Sequence, residues 1–500
     1  MSSKPKKDEP ENNPRDAVDR SCRGPVLFLA VSSVAWLMAY SFFALLAGIK
    51  VHASGMMADS AWLAYGRIQP ASQLALQFGF LVQLGLAVSA WIMSHRGKTV
   101  LVDGGYLIFG GLLWNIGVTL GFLGILAGNA SGLEGLAMPG KVIPVLFFGF
   151  VLVGLSLVQT NNRRTDEEMS SAQWFLFAAT LWLPWVLAAS YLFIHFFNAQ
   201  GVVANIVDWW YIHNFGQIYL TFVGLGVLLH FLPSLSGRTL QGRGLVQFGF
   251  WMLLLFGSVG GVRPGAPVPA WLPALSTVTA VFYFFGVVSV WISLKRTISG
   301  VGAEDAADSL SYNLMRLAAL VFISVGVFNV FFAFPGPGSV AEFTTYGPAM
   351  KLIFNMGFIG LVLIAALYHV FPRLDGFGLS PAMTQIQTAA IVLGLFTSGL
   401  PSALGGLMSG DNVLGAGYYF ASLGDLFLFI GSLVLFLNLM GALYFAIKNC
   451  GCLARICGGL DKKEANAVVS GIQQAHERYA QWAWGQHDAG VKAFNAANPA

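Results

Sequence analysis

The chain has 500 residues, of which 56% are hydrophobic and 10% are charged, and its formal net charge is +4. Soluble domains carry about 25% charged residues, so this composition excludes a water-soluble multidomain protein. The mean hydropathy of +0.68 agrees, and so small a net charge gives no reason to expect nucleic acid as a partner. The composition predicts an all-α membrane protein.

Membrane-spanning helices need about 20 mostly apolar residues. Twelve stretches meet this requirement, and the short loops between them predict one compact transmembrane bundle. Their approximate limits are 26–50, 70–94, 101–127, 138–160, 173–197, 209–233, 243–262, 270–296, 314–335, 347–371, 383–408 and 417–447.

Lysine and arginine sort by side of the predicted bundle. Of the 27 such residues, 22 lie in the N-terminal tail, in the C-terminal segment or in loops on that same side. The other five lie toward the opposite side: Lys50, Arg67, Lys141, Arg263 and Lys351. Because cytoplasmic loops carry the excess of positive charge, both termini are predicted to be cytoplasmic, and an even number of spans agrees.

Two polar segments flank the predicted bundle, which covers residues 25–448. Residues 1–24 contain three prolines and are predicted to be a disordered cytoplasmic tail. In residues 449–500, Asp461 is a good N-cap, and apolar side chains then recur with helical spacing at Ala465, Val468, Ile472, Ala475, Tyr479 and Trp482. This pattern predicts an amphipathic helix on the membrane surface or on the loops, with docking of a partner subunit as the alternative.

All four cysteines lie on the predicted cytoplasmic side, at Cys22, Cys450, Cys452 and Cys457. A reducing cytoplasm argues against disulfide bonds. The C-x-C-x4-C spacing of the last three matches no usual zinc or iron–sulfur site, so a metal site is the less favoured interpretation.

Three segments of the chain resemble one another: 64–97, 208–238 and 346–376. Each opens with an aromatic residue and a polar or proline step, continues as a glycine-rich apolar run, and ends near a histidine. These histidines, His95, His230 and His369, are interpreted as helix-end residues that snorkel or cap. One repeat every four spans predicts a pseudo-threefold bundle of three arcs.

The motif Trp209-Trp210-Tyr211-Ile212-His213-Asn214, followed by a glycine-rich span, resembles subunit I of cbb3-type cytochrome c oxidase, a haem-copper oxidase. Residues 65–70 before the second span and 366–372 at the end of the tenth support this resemblance, which covers about residues 25–447. It implies a twelve-helix fold and electron transfer from cytochrome c to oxygen. It also implies haem b and copper as cofactors, both held by histidine.

The same resemblance places the metal ligands of the family on this chain, and one of six is a histidine here. His213 stands at a copper-ligand position. The other positions are occupied as follows: Ser72 and Met350 at the two low-spin haem ligands, Pro348 at the high-spin haem ligand, Val262 and Arg263 at the copper pair, and Phe256 at the tyrosine beside the copper.

Serine and proline do not ligate haem iron, and a single imidazole does not hold copper. We therefore expect no catalytic residue, no established metal ligand and no cofactor. An emptied pocket near the middle of the usual 300–1,000 Å³ range would cost on the order of 10 kcal/mol. Bulky side chains such as Phe354, Met356 and Phe358 are predicted to fill it, with a bound lipid or quinone as the alternative filler.

Charged residues inside a membrane are functional hypotheses by default. Lys351, Asp425 and Asp208 form a candidate polar or ion site, and Asp208 is expected to pair with Arg67 or Arg263. The competing interpretation is that all of them are interfacial. His213 with Asn214 is interpreted as a hydrogen-bonded core pair.

These observations favour a non-redox homologue of subunit I that serves in structure, assembly or regulation of a membrane respiratory complex. One alternative is an active terminal oxidase or nitric oxide reductase with atypical ligands, so enzymatic activity is left open. Another is a proton or small-solute carrier. Expected partners are membrane lipid and other integral-membrane subunits, with a c-type cytochrome subunit as one candidate. The expected location is the bacterial plasma membrane.

Overall fold

The computed structural model describes residues 14–302, 306, 308–342, 344–375, 378–408 and 411–449. Within these ranges, long helices follow one another through short loops. They are α1 Pro14–His52, α2 Tyr65–Gly97, α3 Gly104–Leu126, α4 Gly140–Asn162, α5 Ser171–Phe196, α6 Val202–Ser236, α7 Arg243–Gly257, α8 Trp271–Ile298, α9 Ser309–Phe332, α10 Tyr346–Leu374, α11 Pro381–Leu407 and α12 Asp411–Asn449. A short helix, Pro335–Ala341, lies between α9 and α10.

Eleven of these helices are long and apolar enough to cross a membrane. The exception is α7, whose 15 residues span about 22 Å, less than a bilayer core of about 30 Å. The predicted span 243–262 ends early because Gly260 and Gly261 adopt positive φ values of 129° and 90°. The prediction of a helical membrane bundle is confirmed, but the count of twelve full spans is not.

The predicted boundary of a disordered tail at residue 24 is wrong, because the described residues from Pro14 onward already belong to α1. Val18 and Cys22 are buried against the core, so this extension of α1 is part of the bundle. The predicted amphipathic helix after Asp461 lies outside the described residues, as do Cys450, Cys452 and Cys457.

Three helices form the centre of the bundle. The most apolar 18-residue windows of α2, α6 and α10 are 94%, 94% and 78% buried, whereas those of the other candidate spans are 28–50% buried. These are the three helices of the internal repeat, and they contact one another. The remaining helices surround them in chain order, and α12 packs against α1 to close the ring.

Each central helix contains a π-helical segment in its first half. The segments are Ala75–Val82, Phe215–Leu220 and Ile353–Gly360. Such segments are rare and are found frequently at functional sites. Because each repeat has one such segment, the residues just before the segments are candidates for a functional site.

Candidate functional site

The residues ahead of the π-helical segments lie at one end of the bundle, which we call the His213 end. The glycine loop after α7 covers His213: a Cβ atom on Gly261 would lie 2.7 Å from His213 Cβ, and one on Gly260 would lie 3.4 Å from His213 Nε2. His213 Nε2 is buried, and no hydrogen-bond partner for it is found in the described part of the chain. A buried imidazole nitrogen of this kind can accept a proton or bind a metal.

Asn214, the neighbour of His213, is fully engaged. It accepts a hydrogen bond from Trp182 Nε1 at 3.1 Å and donates to the carbonyl oxygen of Trp210 at 2.9 Å. It also donates to the carbonyl oxygen of Ser258 at 3.3 Å, which ties α6 to the end of α7. Asn214 is thus hydrogen-bonded within the core, whereas no partner for His213 Nε2 is found among the described residues.

Ion pairs link the loops at the His213 end. Glu134 pairs with both Arg263 and Lys351, and Arg263 also pairs with Glu342 at 3.1 Å. The Arg263 guanidinium lies 5.6 Å from the ring centroid of Trp209. Sequence reasoning named Arg263 and Lys351 but missed Glu134. A signal was available, because Glu134 is an anion in a loop on the same predicted side as these two cations.

Asp208 does not make the predicted ion pair. Its carboxylate accepts hydrogen bonds from the backbone N–H groups of Gly135 and Leu136, at 3.1–3.2 Å. Arg67 donates instead to the carbonyl oxygen of Leu126 at 3.1 Å. Asp208 thus holds the loop that carries Glu134 against the start of α6.

The other predicted positions each make different local contacts. Ser72 donates to the carbonyl oxygen of Gln69 at 2.8 Å, and Phe256 stacks on Phe282 at 4.7 Å. Val262 is buried and donates its N–H to Ser276, Pro348 is exposed, and Met350 is partly buried.

Large side chains of α10 lie in the interior of the bundle. Met356 and Phe358 are buried, and Phe354 is partly buried against them. Phe358 packs on Phe322 at 4.9 Å between ring centroids. The cavity beside Phe354 and Phe322 has a volume of about 10 Å³.

Asp425 lies apart from this site, on α12. It accepts a hydrogen bond from Ser398 Oγ of α11 at 3.2 Å. Asp425 is therefore apart from Lys351 and Asp208, which both contact the loop of Glu134, Gly135 and Leu136.

A second cluster lies at the opposite end of the bundle, which we call the Trp91 end. The indole of Trp91 donates to Asp19 at 2.9 Å, and His95 contacts the same carboxylate oxygen at 3.2 Å. The rings of His230 and His369 lie 5.8 and 6.5 Å from that of Trp91. The three repeat histidines were interpreted as separate helix-end residues, and the structure brings them together.

Residues 24–444 match the family model of cytochrome c and quinol oxidase polypeptide I. The chain belongs to this family. A heme-copper terminal oxidase solved as a dimer by cryo-electron microscopy has the same fold, with a TM-score of 0.64 and 14% identity over 84% of each chain.

Curated proteins of similar sequence are named as cytochrome c oxidase subunits or their homologs. A cytochrome c oxidase subunit 1 homolog of Agrobacterium tumefaciens is 23% identical, over 62% of this chain and 60% of its own length. A cbb3-type cytochrome c oxidase subunit of Stutzerimonas stutzeri is 21% identical, over 64% and 69%. A homolog of subunit 1 from Azorhizobium caulinodans is 21% identical, over 80% and 76%. The chain thus spans about three fifths of the first of these relatives. It is an integral membrane protein and a relative of cbb3-type subunit I.

Family membership corrects one prediction. The expectation of no cofactor, with a lipid or quinone as filler, is overturned because this is the haem-copper oxidase family, which uses haem and copper. The family therefore points to these cofactors.

The side chains present fit those cofactors only in part. His213 Nε2 is a suitable unpartnered metal ligand. In the described part of the chain, no group of three or more His, Cys, Asp or Glu residues is placed to hold a metal ion. The described residues therefore fit one copper ligand rather than the full set, and we derive no reaction step through haem or copper.

Proposed function

We propose that this chain is a subunit I-like component of a membrane respiratory complex that serves in its structure, assembly or regulation. The observation that carries the proposal is the pairing of charges at the His213 end. Glu134 pairs with Arg263 and Lys351, and Asp208 binds backbone N–H groups. Oppositely charged side chains that pair with one another hold loops in place. A reaction centre instead needs groups that converge on the reacting atoms.

The proposed setting follows from the family and the charge distribution. The complex would lie in a bacterial plasma membrane, with both termini of this chain in the cytoplasm because of the lysine and arginine asymmetry. Other integral-membrane subunits are the expected partners, with a c-type cytochrome subunit among the candidates. The outward-facing apolar side chains of the surrounding helices would contact lipid.

Deleting the chain from its host tests the proposal. We expect the amount of one assembled respiratory complex, measured on native gels, to fall. The oxygen uptake of the membranes should fall in the same proportion. Turnover per assembled complex stays unchanged. Re-expression of the wild type and of His213→Ala should restore assembly equally. A fall in turnover per complex at unchanged abundance would contradict a structural or assembly role.

A second candidate is a terminal oxidase with atypical ligands, and the unpartnered His213 Nε2 favours it. On this alternative, the purified protein reduces oxygen with reduced cytochrome c as donor, and His213→Ala abolishes that activity together with bound copper. Activity of the purified wild type would therefore replace the first proposal with the second.

A further inference from the structure

Asp425 lies inside the candidate span Gly417–Phe445, about 12 Å along the helix from Gly417. A carboxylate has about four lone-pair sites for hydrogen bonds. Ser398 Oγ supplies the one hydrogen bond found for Asp425 among the described residues, and no ion pair to it is found there. A charge with so little compensation is costly within a membrane.

A polar path leads from Asp425 to the aqueous surface at the His213 end. One turn away on α12, Ser422 Oγ contacts His52 Nε2 at 3.0 Å, and His52 is exposed. Ser422 Oγ and Asp425 Oδ2 each lie 3.1 Å from the point that a Cβ atom on Gly48 would occupy. The two oxygens are therefore within about 6 Å of each other, a separation that one water molecule can bridge.

We propose that Asp425 is a proton-binding site that exchanges with the aqueous phase through Ser422 and His52. A proton neutralises the carboxylate without requiring a cationic side chain. Among the described residues, the other titratable groups that face Asp425 are Tyr40 of α1 and Tyr65 of α2, with Tyr418 beside Tyr65. None of these three brings a positive charge. The site is independent of the proposed structural role.

Carbodiimide labelling of the full-length protein in lipid vesicles tests the site. Dicyclohexylcarbodiimide reacts with protonated carboxyl groups in apolar surroundings. The carboxyl oxygen bonds to the central carbon of the carbodiimide, and the carboxyl proton moves to one of the two carbodiimide nitrogens. We expect mass spectrometry to find the adduct on Asp425, at a rate rising up to about tenfold for each unit by which pH is lowered. Asp425→Asn abolishes the adduct. Asp208, which holds backbone N–H groups, stays unlabelled.

Two variants test the route to the surface. Gly48→Ala places a methyl group between Ser422 and Asp425, and Ser422→Val removes the hydroxyl. Exchange of the Asp425 proton for deuterium, followed by the carboxylic acid band in infrared difference spectra, should slow in both. Gly441→Ala is the matched control, because a Cβ atom there meets nothing within 4 Å.

Three outcomes would overturn the proposal. The first is no adduct on Asp425 at any pH, or labelling that does not change with pH. The second is protection by sodium ions at fixed pH, which would make the ligand a metal cation. The third is an unchanged exchange rate in Gly48→Ala and Ser422→Val. Thermal unfolding of each variant, compared with the wild type, separates these outcomes from loss of the fold.

Discussion

At the Trp91 end the three central helices contribute equivalent histidines to one cluster, whereas at the His213 end they contribute unlike residues. His95, His230 and His369 all lie around Trp91. At the other end, Ser72, His213 and Met350 stand just ahead of the π-helical segments and are held in different surroundings. The repeat symmetry is therefore kept in the side chains of one end and lost at the other.

The two ends also differ in what holds them together. The Trp91 end is built by rings of the helices themselves, of which Trp91 and His230 are buried and His95 and His369 half-buried, and Arg96 of α2 donates to His230 Nδ1 of α6 at 2.8 Å. The His213 end is built by loops, through partly exposed ion pairs around Glu134. Buried rings stabilise strongly and partly exposed ion pairs weakly, so the stability of the bundle should depend mainly on the Trp91 end.

The largest effect is expected for Trp91→Ala. Trp91 is 1% exposed, and its loss leaves a cavity and removes the donor to Asp19. We expect the free energy of unfolding in mixed micelles to fall by about 3–5 kcal/mol. Trp185→Ala is the control, because Trp185 is 58% exposed on the outer surface of the bundle. Equal losses of unfolding free energy in the two variants would contradict the larger contribution of the Trp91 end to stability.

Asp208→Ala should have an intermediate effect. Asp208 is 2% exposed, and its removal leaves the N–H groups of Gly135 and Leu136 without their acceptor. Leaving buried donors unpaired costs about 1–3 kcal/mol. The loop that carries Glu134 should also become more sensitive to protease.

Asp166→Ala is the control for Asp208, since Asp166 makes an exposed ion pair with Lys98 at 3.0 Å. Protease sensitivity that is the same in both variants would show that Asp208 does not fasten this loop.

The smallest effect is expected for Glu134→Gln. Its side chain is 45% exposed, so each of its two ion pairs should contribute about 0.2–1 kcal/mol and weaken as salt is added. A double-mutant cycle with Lys351→Met should give a small coupling energy at low salt. Glu168→Gln, with an 80% exposed side chain, is the control and should change nothing. A loss as large as that of Trp91→Ala would reverse the ranking of the two ends.

Much of the fold could be predicted from the sequence. Hydropathy alone located the helices, because a membrane span is a local property of about 20 residues. The repeat correctly singled out α2, α6 and α10, which are the buried helices at the centre. The early end of α7 was missed, since it depends on the backbone conformation of Gly260 and Gly261.

The candidate site was predicted only in part. His213, Asp208, Arg263 and Lys351 were named, but Asp208 was given the wrong partners. Glu134 went unnoticed although it joins two of these residues. The family match also overturned the expectation of no cofactor, which had been argued from the residues at the ligand positions alone.

The sequence by itself determined the membrane class, the positions of the helices and the threefold repeat, because apolar length and periodicity act within one segment. Only the tertiary structure decided which side chains meet. Glu134 and Lys351 are 217 positions apart, and Arg96 and His230 are 134 apart. Contacts of this kind arise when separate helices pack around one core, and no local pattern in the chain records them.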